Sequence, residues 1–362
     1  SAFADCTALT SVGNLTNVTT LGTCAFNSCK ALKTIGDLSK VTSIGYSTFG
    51  FCTALESVGN MSSVTSIDSY AFEGCSSLVR VGNMSNVESI DSNGFVNCSA
   101  LEHVDELDKI TSIGQNAFKG CTALKSIGSL HNLETIGQGA FSGCSALEHV
   151  DDLYSLTRLE YDVFSHCVSL ISVDCSDKLT AIGSSAFFGC KALVSIGDLS
   201  NVTSIESSVF RGCIALKSIG NMPKLESIGM QCFMGCTALE TVGDLSSLKE
   251  IPSETFDGCT SLVSIGDLSN VTIIGSYGFN QCKKLTSIPN LGSLERVDQF
   301  AFSGCESLAL LGNLRKLTSF GYSPFVNSPF HNCPNLVLEV LPDSAAEQYA
   351  KDYNMQYTYI TE

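Results

Sequence analysis

Tryptophan is absent from this 362-residue chain, proline is held to 7 residues, and only 15% of positions carry charge. Basic residues are the scarcer sign: 20 Lys and Arg against 36 Asp and Glu leave a formal net charge of −16. A chain so short of positive charge lacks the footprint that phosphate backbones require, which excludes nucleic acid as a partner. No apolar run approaches the ~18 residues of a membrane span, so no membrane insertion by these residues is expected. No leader is visible, as in a cytosolic chain or in a mature or truncated one. P-loop, G-x-S-x-G, H-E-x-x-H and dinucleotide fingerprints are all missing. So are C-x-x-C pairs and Cys/His clusters at zinc spacing. The expectation is a protein with no catalytic residues, no cofactor and no metal, hence not an enzyme. Scarce charge does not mean disorder here, because 44% of residues are hydrophobic, enough to build a core.

What the chain has is a period. Cysteine stands at 6, 29, 52, 75, 98, 121, 144, 167, 190, 213, 236, 259, 282 and 305, every step 23 residues. Phenylalanine keeps the same interval, from Phe3 and Phe26 to Phe302 and Phe325. A fixed period of ~20–50 residues marks a solenoid, propeller or array. With Cys as position 1, fourteen units run from Cys6 to Asn327. Leu fills position 4 in every unit, and positions 7, 10, 13, 16 and 21 are apolar, with Ser176 the exception at position 10. Apolar steps of three, closed by one of five, fit neither a helix nor an alternating strand. They fit a coil that winds round one axis. Gly or Pro after positions 7 and 16, as at Gly36, Gly45, Pro252 and Pro289, suits bends at the ends of short strands. The pattern predicts two short strands per coil, at positions 5–8 and 14–16, and a turn or 3₁₀ segment at 18–22. Coils stacked ~4.8 Å apart then form parallel sheets, and each takes its core from its neighbours.

One unit reads Ala117-Phe118-Lys-Gly-Cys121-Thr-Ala-Leu124-Lys-Ser-Ile127, then Leu133-Glu-Thr-Ile136-Gly137. This resembles the BspA-type leucine-rich repeat, A-F-x-x-C-x-x-L-x-x-I followed by V-x-x-I-G, over nearly the whole chain. The family often has Pro at position 10, where this chain has Leu or Met. The resemblance implies a leucine-rich-repeat solenoid, mostly β, a right-handed stack of about 15 coils with short parallel strands and 3₁₀ turns. It also implies a non-enzymatic, cell-surface or secreted interaction scaffold. Adhesion, or binding of a protein or glycan on a host or neighbouring surface, would be its work. The alternative is an accessory or spacer domain of a larger surface protein or of a carbohydrate-processing enzyme.

Ser1-Ala-Phe3-Ala-Asp5 matches positions 19–23, so the chain begins inside a coil, as a fragment would. Phe325 keeps phase but Ser328 replaces the next Cys, and Phe330-His-Asn-Cys333-Pro-Asn-Leu336 restores the motif five residues later. The solenoid is expected over residues 1–341, with an insertion near 326–330, and a C-terminal helix and strand cap over 342–362. Ser344 with Glu347 is a capping-box pattern opening a helix at 344–353. Gln356-Tyr-Thr-Tyr-Ile360 reads as a last strand.

Period-23 cysteines stack one coil apart with parallel side chains, whereas a disulfide needs Cβ atoms ~3.8 Å apart and converging vectors. The expectation is a buried column of free thiols that pack as small hydrophobes. Cys24, Cys175 and Cys232 lie off this column, and the sequence gives them no role. So many free thiols suit a reducing cytosol or an anaerobic exterior. The resemblance favours the exterior or surface of an anaerobic organism, because BspA-type proteins are commonly found there.

Position 9 is Asp or Asn in eleven of fourteen units. Either an acidic edge that gathers cations or a turn residue bonded to its own backbone would account for this, and the second is the simpler. One region departs from the repeat. Leu101-Glu-His-Val-Asp-Glu-Leu107 and Leu147-Glu-His-Val-Asp-Asp-Leu153 carry His at position 6 and Asp at position 8, where Gly is usual. Asp174 repeats the substitution one coil on. Positions 6 and 8 share a strand face, so the candidate binding residues are Glu102, His103, Asp105, Glu148, His149 and Asp151. Tyr154, Arg158 and Tyr161 are read as lying on other arcs. The competing reading is a solvated face whose His–carboxylate contacts contribute little. No enclosed pocket is implied, and imidazoles beside carboxylates would make binding respond to pH near ~6–7.

Overall fold

The computed structural model describes residues 1–13, 15–321 and 328–361. They form a parallel-strand solenoid of about fifteen turns with one C-terminal helix. Two compact units divide the chain: Ser1–Lys178 with Gly189–Lys191, and Leu179–Phe188 with Ala192–Glu362.

In the first unit, the first strand of each coil occupies positions 6 and 7, as at Ser11–Val12, Thr34–Ile35, Ser57–Val58, His103–Val104 and Ser126–Ile127. Pairing steps by 23 residues, Ser11 to Thr34 to Ser57, and continues through single bridges at Arg80 to His103 and Ser126. The second strand occupies positions 15 and 16, and Ser43–Ile44, Ser66–Ile67, Ser89–Ile90, Ser112–Ile113 and Thr135–Ile136 make one parallel sheet. Both strands are narrower than the pattern predicts. In most pairs an outward polar residue precedes an inward β-branched one, the alternation a half-buried strand needs. The second unit repeats both ladders, for example Ser218–Ile219, Thr241–Val242 and Ser264–Ile265.

The third arc is built from turns. In the coil opened by Cys6, the N–H groups of Cys24, Phe26 and Ser28 donate to the next coil at 2.7–2.8 Å, while those of Ala25, Asn27 and Cys29 donate three residues back. The local bonds have the 3₁₀ spacing, but alternate donors leave the coil, so no continuous 3₁₀ helix forms. Two residues per arc, at positions 19 and 23, take left-handed backbone, as Cys24 (φ 52°) and Ser28 (φ 61°) or Gly139 (φ 64°) and Gly143 (φ 76°). This is what the recurrent glycines at position 23 are for, whereas position 19 takes the same conformation mostly without glycine, Gly139 being the exception.

Two columns hold the core. In the first unit the position-21 rings from Phe3 to Phe164 stack with centroids 4.9–5.6 Å apart and planes within 16°. In the second unit Phe187 to Phe302 stack at 5.2–5.5 Å. Beside each runs the thiol column. Each Cys S–H donates to the carbonyl of the Phe one coil back, from Cys52 to Phe26 O (3.1 Å) through Cys305 to Phe279 O (3.1 Å). The Phe carbonyl also accepts the N–H of the Cys three residues on, so one oxygen ties two coils. The cysteines are therefore hydrogen-bond donors as well as packing groups, which the sequence reading missed. All 18 are free thiols. Burial pushes Cys121, Cys167 and Cys236 up to about 12. Cys175 and Cys232 are buried in the core, whereas Cys24 is half-buried. Cys6 departs from the expectation of burial and is exposed.

Phe325 and the start of the expected insertion lie outside the described residues. Phe330 and Cys333 resume both columns, the ring 5.9 Å from Phe302 and the thiol 3.0 Å from Phe302 O. The terminal helix spans Ala345–Asp352 with Ser344 as N-cap. Ser344 Oγ accepts the Glu347 N–H, and Glu347 Oε2 accepts the Asp343 N–H at 2.8 Å. Strand Gln356–Tyr359 then pairs in parallel with Val337–Val340.

Candidate functional site

The site begins with glycine. At position 8 the chain passes so close to the coil below that a Cβ on Gly36 or Gly59 would lie 2.5 Å from the carbonyl oxygen of Gly13 or Gly36. Gly82 on Gly59 is as tight. Asp105, Asp151 and Asp174 each place a Cβ in this column. The residues after two of them, Glu106 and Asp152, are left-handed at φ 60° and 66°, as Asn313 (φ 61°) is after Gly312. The first strand lengthens to His149–Leu153 and Ser172–Cys175, and its register shifts between Val150 and Leu153. Gly128, between the altered coils, would meet nothing nearer than 3.2 Å. Where the coil bearing Asp105 leaves the glycine column at Gly82, a depression of about 340 Å³ opens, lined by Arg80, Gly82, Asn83, His103, Asp105 and Glu106.

All six residues named from the sequence lie in the first unit on this face. His103, Asp105, Glu148, His149 and Asp151 are exposed and Glu102 is half-buried. The depression gathers His103 and Asp105; the second set, two coils on, stays outside it. Each imidazole reaches forward one coil to a serine, His103 Nδ1 to Ser126 Oγ at 2.8 Å and His149 Nδ1 to Ser172 Oγ at 2.9 Å. Glu102 accepts from Lys125 Nζ at 3.0 Å and lies 4.0 Å from His103 Nε2. The Lys125 ammonium holds the Glu102 carboxyl below its ordinary range. Arg80 and Lys125 were missed from the sequence. The signal was present in both: Arg80 interrupts a Ser/Thr column at position 6, and Lys125 follows Glu102 by one period.

Tyr154 is nearer this face than its repeat position suggested. Partial desolvation and the Asp152 and Asp174 carboxylates push its hydroxyl above the usual value. Arg158 does lie on the second strand, paired with Glu160 at 3.2 Å. Beside Tyr154, Asn132 Nδ2 donates to His131 Nε2, His131 Nδ1 lies 2.9 Å from Ser129 Oγ, and Ser129 Oγ donates to Asp152 Oδ2 at 2.8 Å. These are the residue types of a hydrolase triad in the wrong order. The serine sits between imidazole and carboxylate, so its proton goes to the acid and the histidine cannot act as its base. Among the described residues, no three His, Cys, Asp or Glu side chains are placed to hold a metal ion.

The position-9 residues behave as turn groups. Asp37, Asn60, Asn83, Asp198, Asp244 and Asp267 each accept the backbone N–H two residues on, at 2.8–3.0 Å. That bond holds Asp198 below its ordinary value.

A family model described as the BspA type leucine rich repeat region (6 copies) matches residues 1–125, 111–240 and 226–336. Among solved structures, a leucine-rich repeat protein from Bacteroides ovatus is 26% identical, with a TM-score of 0.78 over 97% of this chain and 94% of that one. A leucine rich cell surface protein from Faecalibacterium prausnitzii is 30% identical over 71% of this chain and 79% of that one, with a TM-score of 0.44. No curated protein matches the chain.

Proposed function

The chain belongs to the BspA-type leucine-rich-repeat family, and from that premise we propose that it is a non-enzymatic interaction scaffold working outside the cell or at its surface. A protein or glycan of another surface docks on the first-strand face of the first unit, where Glu102, His103, Asp105, Glu148, His149 and Asp151 stand. The observation that carries this reading is the broken glycine column. A solvated face can change its outward residues at no structural cost. Here three Asp stand in a column where glycine is usual, and beside Asp151 the strand lengthens and its register shifts, a local irregularity of the kind recognition sites carry. Solenoids present long open surfaces suited to such docking. No helix among the described residues is long and apolar enough to cross a membrane.

The test is a binding screen of the chain against extracellular-matrix proteins and glycans, repeated with Asp105→Gly/Asp151→Gly and with His103→Ala/His149→Ala. At least one class should bind the parent, and each double variant should weaken it about tenfold, the value of ~1.4 kcal/mol. The Gly pair restores the repeat and should fold at least as stably as the parent. No binding, or unchanged binding in both variants, would leave this face an ordinary solvated sheet.

A further inference from the structure

Charge is spread unevenly along the first-strand arc. Positions 5 to 9 of the five coils from Cys75 to Cys167 hold seven carboxylates, between Glu102 and Asp174, against two fixed cations, Arg80 and Lys125. This net −5 in 25 residues is close to a third of the −16 carried by all 362. The same arc in the six coils from Cys190 to Cys305 holds four carboxylates against Lys217, a net −3. Three of those four, Asp198, Asp244 and Asp267, are already committed to turn N–H groups. The position-8 carboxylates are not. Among the described residues none of Asp105, Asp151 and Asp174 accepts a hydrogen bond or joins an ion pair, and all three are exposed. The position-5 column bounds the stripe with apolar side chains at both ends, Val79 (43% exposed) and Ile171 (38% exposed).

We infer that the occupant of this sheet face is an extended cationic polypeptide segment, rich in Lys and Arg and flanked by apolar residues. This rests on the docking face proposed above and names the chemistry of its partner. Ammonium and guanidinium groups would take the open carboxylates of Asp105, Asp151 and Asp174. The ends of the segment would cover Val79 and Ile171. Those two residues are four coils apart, about 19 Å at ~4.8 Å per coil, which an extended segment of roughly six residues spans at ~3.3 Å each. Acidic polypeptides and sulfated or phosphorylated polymers are repelled by the same field.

The experiment is calorimetric titration of the 362-residue chain with two capped octapeptides, one of alternating Lys and Arg with Ile at each end, the other with Glu in place of every base. The basic peptide should bind and the acidic one should not, and affinity should fall at least tenfold between 50 and 300 mM salt, about what screening predicts for several exposed contacts. Asp105→Asn/Asp151→Asn/Asp174→Asn should lower affinity about tenfold or more. Asp198→Asn/Asp244→Asn/Asp267→Asn, which removes the same charge from turn positions where Asn also occurs, should leave it unchanged. Equal losses in both triple variants would reduce the effect to net charge and overturn the inference, as would equal binding of the acidic peptide. If neither peptide binds but a neutral glycan does, and Asp105→Gly/Asp151→Gly abolishes it, the cationic occupant falls while the scaffold reading stands. If nothing binds in either experiment, both fall.

Discussion

Position 1 illustrates what a single residue does in a stacked repeat. Cys144 is fully buried, and its thiol donates to Phe118 O at 3.1 Å. Cys144→Ala removes both the sulfur and the donor. The Phe118 carbonyl keeps its bond from the Cys121 N–H, so no buried acceptor is orphaned. The expected cost is about 1–2 kcal/mol, a small cavity plus one weak hydrogen bond. Leu147→Ala in the same coil leaves a larger cavity and should cost about 2–5 kcal/mol. Urea unfolding of the two variants checks the order, and a Cys144→Ala loss equal to that of Leu147→Ala would contradict it. Burial of these cysteines was readable from their period, but their hydrogen bonding was not. The acceptor is a main-chain oxygen one coil away, and no side-chain pattern records where carbonyls point. Asp105 is the reverse case. Its departure from Gly was plain in the sequence, but its consequence depended on how closely two backbones pass.

At the scale of the element, the terminal helix is the piece whose stability depends most visibly on charge. Glu347, 3% exposed, accepts from Lys351, from the Tyr359 hydroxyl and from the Asp343 N–H, and these bonds hold its carboxyl at about 2. Its ordinary value is 4.5. A carboxyl depressed in the folded state binds fewer protons there than when unfolded. Its contribution is therefore complete above pH 4.5 and is lost as pH falls through about 2. The Tyr359 hydroxyl is raised to about 12, chiefly by its bond to Glu347. That contribution has the opposite sign, complete below pH 10 and lost toward 12. Glu347→Gln should flatten the acid side, and urea midpoints of parent and variant at pH 5 and 2.5 measure it. A parent curve as flat as the variant's would show that the carboxylate contributes nothing. The helix was legible because its cap is local: Ser344 and Glu347 are three residues apart. The parallel partner of the last strand, Val337–Val340, lies 19 residues upstream across the helix, a pairing that no local spacing signals.

Across the whole molecule, each coil exchanges its hydrogen bonds and core contacts chiefly with its neighbours, so fold class was readable from one number, the period of 23. Function was far less so, because inward residues carry the repeat and only outward ones distinguish one coil from another. The thiol column permits a global measurement. Cys6 is exposed, Cys24 and Cys333 are half-buried, and the other fifteen are buried. Native titration with a thiol reagent should find no more than three groups, and denaturation should release the rest. More than three under native conditions would mean that the columns open. Because thiol stretching falls in an infrared region clear of amide and water bands, those hydrogen-bonded sulfurs form a built-in optical reporter. Their band should move as coils separate, recording the fraying of the stack without any added label.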